Sequence, residues 1–163
     1  MRITVVEGDI TRQQVDAIVN AANRAMRGGG GVDGAIHAAG GSAVLEDCRR
    51  RFPHGLATGD AGWTTAGELP AQWVIHVVGP NLHRGESDRG LLTSCYARAL
   101  EVADELGAAT VAFPLISAGA YGWPREDAIA AALEVFRASV STVAEARMVA
   151  FGRPAYDAIR AQL

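Results

Sequence analysis

Six short apolar runs alternate with longer stretches in which apolar residues recur every three or four positions. The runs are ITVVEG (3–8), VDAIVNAA (15–22), GWTT (62–65), WVIHVVG (73–79), ATVAFPLI (109–116) and ARMVAFG (146–152). Their apolar residues are near-continuous rather than alternating, which predicts strands of a sheet covered on both faces. Between them, Val32 to about Cys48 keeps the 3.6-residue period with Val32, Ile36, Ala39, Ala43 and Val44, which predicts one helix. Further helices are predicted over Leu91–Leu106, Asp127–Val140 and Pro154–Leu163, the last with proline in its first turn. Strands alternating with helices imply an α/β domain, a mostly parallel sheet between helix layers. Such sheets bind ligands at the carboxyl ends of their strands. The loops leaving those ends are therefore the ones to read for function.

Composition narrows this only slightly. The 163 residues carry no linker or low-complexity break, so one domain, 1–163, is expected. Net charge is −3 without a basic stripe, so duplex nucleic acid is not an expected partner. Arg49-Arg50-Arg51 reads as a solvated helix end. Cys48 and Cys95 lack metal-ligand spacing and read as small buried residues of a reducing compartment. Without a long apolar span or a leader pattern, a soluble, cytoplasmic protein is expected.

Three loops at predicted strand ends have unusual composition: EGDIT (7–11), the run RGGGGVDGAIH (27–37), and ISAGAYGW (116–123). Glycine loses more conformational freedom on folding than any other residue, so four in a row need a reason. Bare N–H groups entering a helix make an anion site, and SAGAYG offers a second such backbone cradle. Neither loop is a P-loop, which needs a Gly-Lys-Ser/Thr ending, and neither fits the dinucleotide fingerprint of a Rossmann-type oxidoreductase. Asp33 and His37 share a helix face, and Asn23 precedes the glycines. An acid, an imidazole and a carboxamide beside a phosphate cradle point to sugar recognition and water activation. The plainer alternatives are a helix-start acid for Asp33, a core histidine for His37 and a turn cap for Asp9. His76, inside an apolar run, reads as a packed strand residue. His54 and His83, in polar stretches, carry no reading.

Taken in order, EGDIT, VDAIVNAAN, GGGGVDGAIHAAGG, TGDAGWTTAGELPAQWVIHVVGP, LLTSCYARAL and AFPLISAGAYGWP resemble the macrodomains, and more narrowly the MacroD-type ADP-ribosylhydrolases. The resemblance spans Ile3 to about Asp157. It implies an α/β fold, a three-layer α/β/α sandwich with a mixed central sheet, holding ADP-ribose in a cleft at the strand ends. By matching motif, Asp9 and the Ile10 N–H meet adenine and Phe151 stacks on it. Asn23 and Tyr121 flank the distal ribose. Gly31, Val32 and the stretch Ser117, Ala118, Gly119, Ala120, Tyr121 and Gly122 clasp the diphosphate. The implied catalytic set is Asp33, His37 and Asn23. No metal and no cofactor are implied, because backbone N–H groups alone can receive a diphosphate.

The implied reaction is hydrolysis of the ester-type bond between ribose and a glutamate or aspartate of a modified protein. Asp33 acts either as general base or by positioning water while a substrate phosphate takes the proton; the sequence leaves both open. The alternatives are a non-catalytic ADP-ribose reader and a hydrolase of O-acetyl-ADP-ribose or of ADP-ribosylated nucleic acid. The expected partners are ADP-ribosylated proteins and ADP-ribose, with nucleic acid only as a modified substrate, no membrane, and a monomeric state. Two departures stand out. Ala118 occupies a position where threonine is common, and Gly152 one where an acid often follows the stacking aromatic. Arg24 and Arg27 read as solvated surface residues, with contact to a modified partner as the alternative.

Overall fold

The apolar runs do become strands, and the computed structural model describes all of them, covering Met1–Leu163. Strands β1 (Arg2–Glu7), β2 (Ala17–Ala22), β3 (Ala61–Thr65), β4 (Trp73–Val78), β5 (Thr110–Phe113) and β6 (Glu145–Ala150) form one sheet in the order β1-β6-β5-β2-β4-β3. Every pairing is parallel except that of β3 with β4. The sheet is therefore mixed, and five parallel strands present their carboxyl ends along one edge.

Helices α1 (Gly31–Gly40), α2 (Ser42–Arg51), α3 (Arg89–Leu106), α4 (Arg125–Ala138) and α5 (Arg153–Gln162) cover it. Side chains of a strand alternate between faces. Ala17 and Val19 of β2, with Ile75 and Val77 of β4, face the larger core beneath α3, α4 and α5. Ile18 and Val74 face the smaller core that includes Ile36 of α1. The same alternation puts Asn20 and His76 on the α1 side.

Two helix boundaries differ from the sequence expectation. The stretch from Val32 to Cys48 is two helices, not one. Gly41 turns the chain with φ +80°, and a Cβ on Gly40 would lie 2.6 Å from Val44 and 3.1 Å from the Ala66 carbonyl. The apolar spacing runs through this break because both helices pack on the same sheet face. Helix α4 stops at Ala138, and Val140 is fully exposed beyond it.

Candidate active site

The glycine run leaves β2 and folds back over the start of α1. Gly28 (φ +88°) and Gly31 (φ +58°) adopt the left-handed backbone that suits glycine. Gly30 caps α1 without a side-chain hydrogen bond, and the N–H groups of Gly31 and Val32 find no acceptor in the chain. Nothing lies within 4 Å of a Cβ built on Gly30 or Gly31. The first turn of α1 thus points unpaired donors and a helix dipole into open space.

The loop after β5 supplies a second set. Ser117 takes a left-handed φ of +64°, and the Tyr96 hydroxyl accepts a hydrogen bond from the Ile116 N–H at 3.0 Å, fixing where the loop begins. The Trp123 N–H donates to the Ser117 carbonyl at 2.9 Å and closes it. The N–H groups of Ala118, Gly119 and Ala120 have no acceptor, and the space above Gly119 is empty.

Beside the glycine run stand the polar side chains. Asp33 is buried in the first turn of α1. Its Oδ1 accepts a 2.8 Å hydrogen bond from Asn20 Nδ2 and lies 3.4 Å from His37 Nε2. A Cβ on Gly29 would lie 3.2 Å from Asp33 Oδ2 and 3.3 Å from Asn23 Nδ2, so both atoms converge beneath that glycine. Asn23 is braced by the loop, donating to the Gly28 carbonyl at 3.1 Å and accepting from the Met26 N–H. His37 is half-buried, with Gly28 under its ring. A cavity of about 430 Å³ opens beside Asn23 and Gly28, with Tyr121, Arg24, Thr58, Asn81 and Glu86 in its wall.

Of the expected site residues only Asn23 and Tyr121 line this cavity; Asp33 and His37 do not, and Asp9, Ile10 and Phe151 lie at the ends of the neighbouring strands β1 and β6, where the Gly8 N–H donates to Ala150. Asp9 does cap a short turn: Oδ1 accepts from the Thr11 hydroxyl and N–H, which holds its carboxyl below the ordinary range. Its Oδ2 stays exposed, 4.0 Å from Arg12. The Ile10 N–H has no acceptor. Phe151 is 92% exposed, an unpacked aromatic at the sheet edge.

Two of the arginine readings change here, and that of Arg24 holds. Arg27 is not a free surface residue; its guanidinium donates to the carbonyls of Ala25, Met26, Phe52 and Pro53 and ties loops together. Arg24 stays exposed but pairs with Glu86. The Arg49–Arg51 run is more than a solvated end. Arg50 and Arg51 both reach the buried Asp47, and Arg51 stacks 3.8 Å over Trp63. These contacts line a second groove of about 440 Å³ between α2 and β3. Burial opposes the charge on Asp47, but the Thr65 N–H and both arginines outweigh it and hold the carboxyl low.

His76 is the packed strand residue expected, while its polar partners Asn20 and Thr64 had no reading. Each is wholly buried. Asn20 and His76 interrupt two buried apolar strands, and a polar residue there needs a partner, which was the available signal.

The comparisons with known proteins bear on this geometry directly. The Macro domain family model matches residues 19–132. A Macro domain-containing protein of Streptomyces coelicolor is 56% identical over 99% of this chain and 98% of its own length. The chain belongs to the Macro domain family. O-acetyl-ADP-ribose deacetylase 1 of Pantoea vagans is 45% identical over 96% of this macrodomain and 95% of that protein. Among solved structures, the Oceanobacillus iheyensis macrodomain with ADP superposes with TM-score 0.91 at 36% identity, covering 97% of this chain and 87% of that one. The Trypanosoma brucei macrodomain in complex with ADP-ribose gives 0.90 at 33%, over 99% and 68% of the two chains. The mixed α/β/α sandwich is therefore the macrodomain fold, with the bare-backbone cleft at its strand ends.

Proposed function

We propose that this macrodomain is a MacroD-type hydrolase that binds ADP-ribose in the cleft and removes mono-ADP-ribose from glutamate or aspartate side chains. The observation that carries the reading is Asp33: a buried carboxylate with one oxygen held by Asn20 and the other turned toward Asn23, at the mouth of an unpaired backbone cradle. A protein that only bound ADP-ribose would have no use for that acid. The two sets of free N–H groups are suited to a diphosphate, whose charge they meet without a cation.

In this scheme adenine stacks on Phe151, with Asp9 and the Ile10 N–H at its edge. The diphosphate lies between Gly31–Val32 and Ser117–Gly122. Asn23 and Tyr121 hold the distal ribose, and the acceptor faces the cavity wall near Arg24. Water, held by Asp33 Oδ2, attacks the anomeric carbon. The new C–O bond forms as the bond to the acceptor carboxylate breaks, and the water proton passes to Asp33 or to a substrate phosphate. The products are ADP-ribose and the free acidic side chain. No metal or cofactor takes part. The Pantoea vagans relative supports a second substrate, O-acetyl-ADP-ribose, hydrolysed in the same cleft.

The test is a substrate panel of acid-, serine-, arginine- and DNA-linked ADP-ribose with O-acetyl-ADP-ribose, run on the native protein and Asp33→Ala. Acid-linked turnover that is lost in the variant is expected. Tight ADP-ribose binding without turnover of any substrate would leave a reader.

A further inference from the structure

Asn20, His76 and Thr64 lie behind Asp33, out of reach of the cleft, and the hydrolytic scheme does not use them. The β2–β4 register sets Asn20 opposite His76. Asn20 Nδ2 is 2.8 Å from Asp33 Oδ1 and 3.1 Å from His76 Nδ1. An amide nitrogen has two hydrogens, so it serves both acceptors at once. Nδ1 is then the acceptor of the neutral ring and Nε2 carries the proton. Nε2 is 2.8 Å from Thr64 Oγ1, which in turn donates to the Thr65 carbonyl at 3.0 Å. The hydrogens run consistently in one direction.

Reversing the Asn20 amide would set its oxygen against a carboxylate oxygen, two acceptors in contact. The orientation is therefore fixed, and it leaves Asn20 Oδ1 buried with no partner. An apolar side chain of similar shape would carry no such penalty. Packing gives no reason for an asparagine here, whereas its two donors do.

We propose that Asn20 is a positioning residue: with His76 as its acceptor anchor, it clamps Asp33 Oδ1 so that Oδ2 alone is presented to the cleft. Burial keeps the anchor neutral, pushing the His76 ring down to about 3, with nearby His37 adding to the effect. A clamped carboxylate needs no reorganisation when the reaction begins. Released, the carboxylate keeps only the longer 3.4 Å approach of His37 Nε2 to Oδ1 and can turn about its terminal bond. The inference rests on the hydrolase reading for its kinetic consequence, while its structural half is measurable without turnover.

The variants are Asn20→Leu, His76→Leu and His76→Asn, the last returning an acceptor near the Nδ1 position. Steady-state kinetics, ADP-ribose calorimetry and ¹⁵N NMR of the histidine rings are read together. Asn20→Leu should lower kcat about 10- to 100-fold while KM and ADP-ribose affinity hold. His76→Leu should follow it and His76→Asn should recover most of the loss. In the native protein His76 should be the Nε2–H tautomer, and that preference should weaken in Asn20→Leu. An unchanged kcat in folded Asn20→Leu, a kcat loss that merely follows lost affinity, or an Nδ1–H tautomer in the native protein would overturn the clamp. A native protein inactive on every substrate would overturn the hydrolase reading instead, and the ring tautomer would still decide the clamp.

Discussion

Gly79 and Ser117 touch across the cleft floor so closely that a Cβ on Gly79 would lie 2.3 Å from Ser117 Oγ and 2.6 Å from Ile116 Cγ2. The ends of β4 and β5 thus brace the loop that presents Ala118–Ala120. Gly79→Ala should push that loop out of place, destabilising the fold by about 1–3 kcal/mol and weakening ADP-ribose binding. Calorimetry beside a urea melt checks both. Full affinity in this variant would mean that the loop does not hold the ligand.

Removing Asp33 should separate binding from the proposed chemistry. Acid–base assistance of this kind is worth about 10²–10⁴-fold, so Asp33→Ala should lose that much turnover on acid-linked substrate and keep most of its ADP-ribose affinity. Comparable turnover in native and variant protein would remove Asp33 from the mechanism.

Gly119→Glu probes the cradle from the other side. The space above Gly119 is open, so the fold should tolerate the substitution. The new carboxylate would stand where the diphosphate is expected, and affinity should fall steeply, with partial recovery at high salt as the repulsion is screened. Equal binding by both proteins would contradict a diphosphate at this loop.

Phe151 is a large apolar residue with almost nothing packed on it. Phe151→Ala should leave stability within about 0.5 kcal/mol yet weaken ADP-ribose binding by about 1–3 kcal/mol, the usual worth of stacking a base on an aromatic ring. Ribose 5-phosphate binding should be indifferent to the change.

His76 gives stability a pH dependence with a definite sign. Burial takes the ring from its ordinary 6.5 to about 3. Between those values the unfolded chain binds the proton and the folded chain does not. Stability present above pH 6.5 is therefore lost as pH falls toward 3, at up to about 1.4 kcal/mol per pH unit. His76→Asn lacks that component, so the stability gap between native and variant should narrow across the window in urea melts. A constant gap would show that His76 does not titrate as buried.

The central strands were legible because both faces of the sheet are covered there, so β2, β4 and β5 are near-continuous buried apolar runs. The cleft loops were legible because bare backbone requires glycine, and Gly28–Gly31 advertise it. The division at Gly40–Gly41 was hidden because α1 and α2 place apolar residues on the same side, which keeps the period intact across a change of direction. The Asn20–His76 pair was hidden for another reason. It depends on the register of strands 56 residues apart, and no local spacing reports a register. The dual nature of Asp9, both turn cap and open carboxylate, likewise emerged only once Thr11 was seen to occupy a single oxygen.

The two cysteines have a practical consequence. Cys48 and Cys95 are wholly buried, and burial pushes their thiols up to about 11 and about 12. Neither presents thiolate to reagents in solution. The folded surface is thus chemically silent toward maleimides. A120C, on the exposed rim of the loop after β5, would install a single labelling handle, and a fluorophore there should turn ligand arrival into an optical signal without deleting either native cysteine.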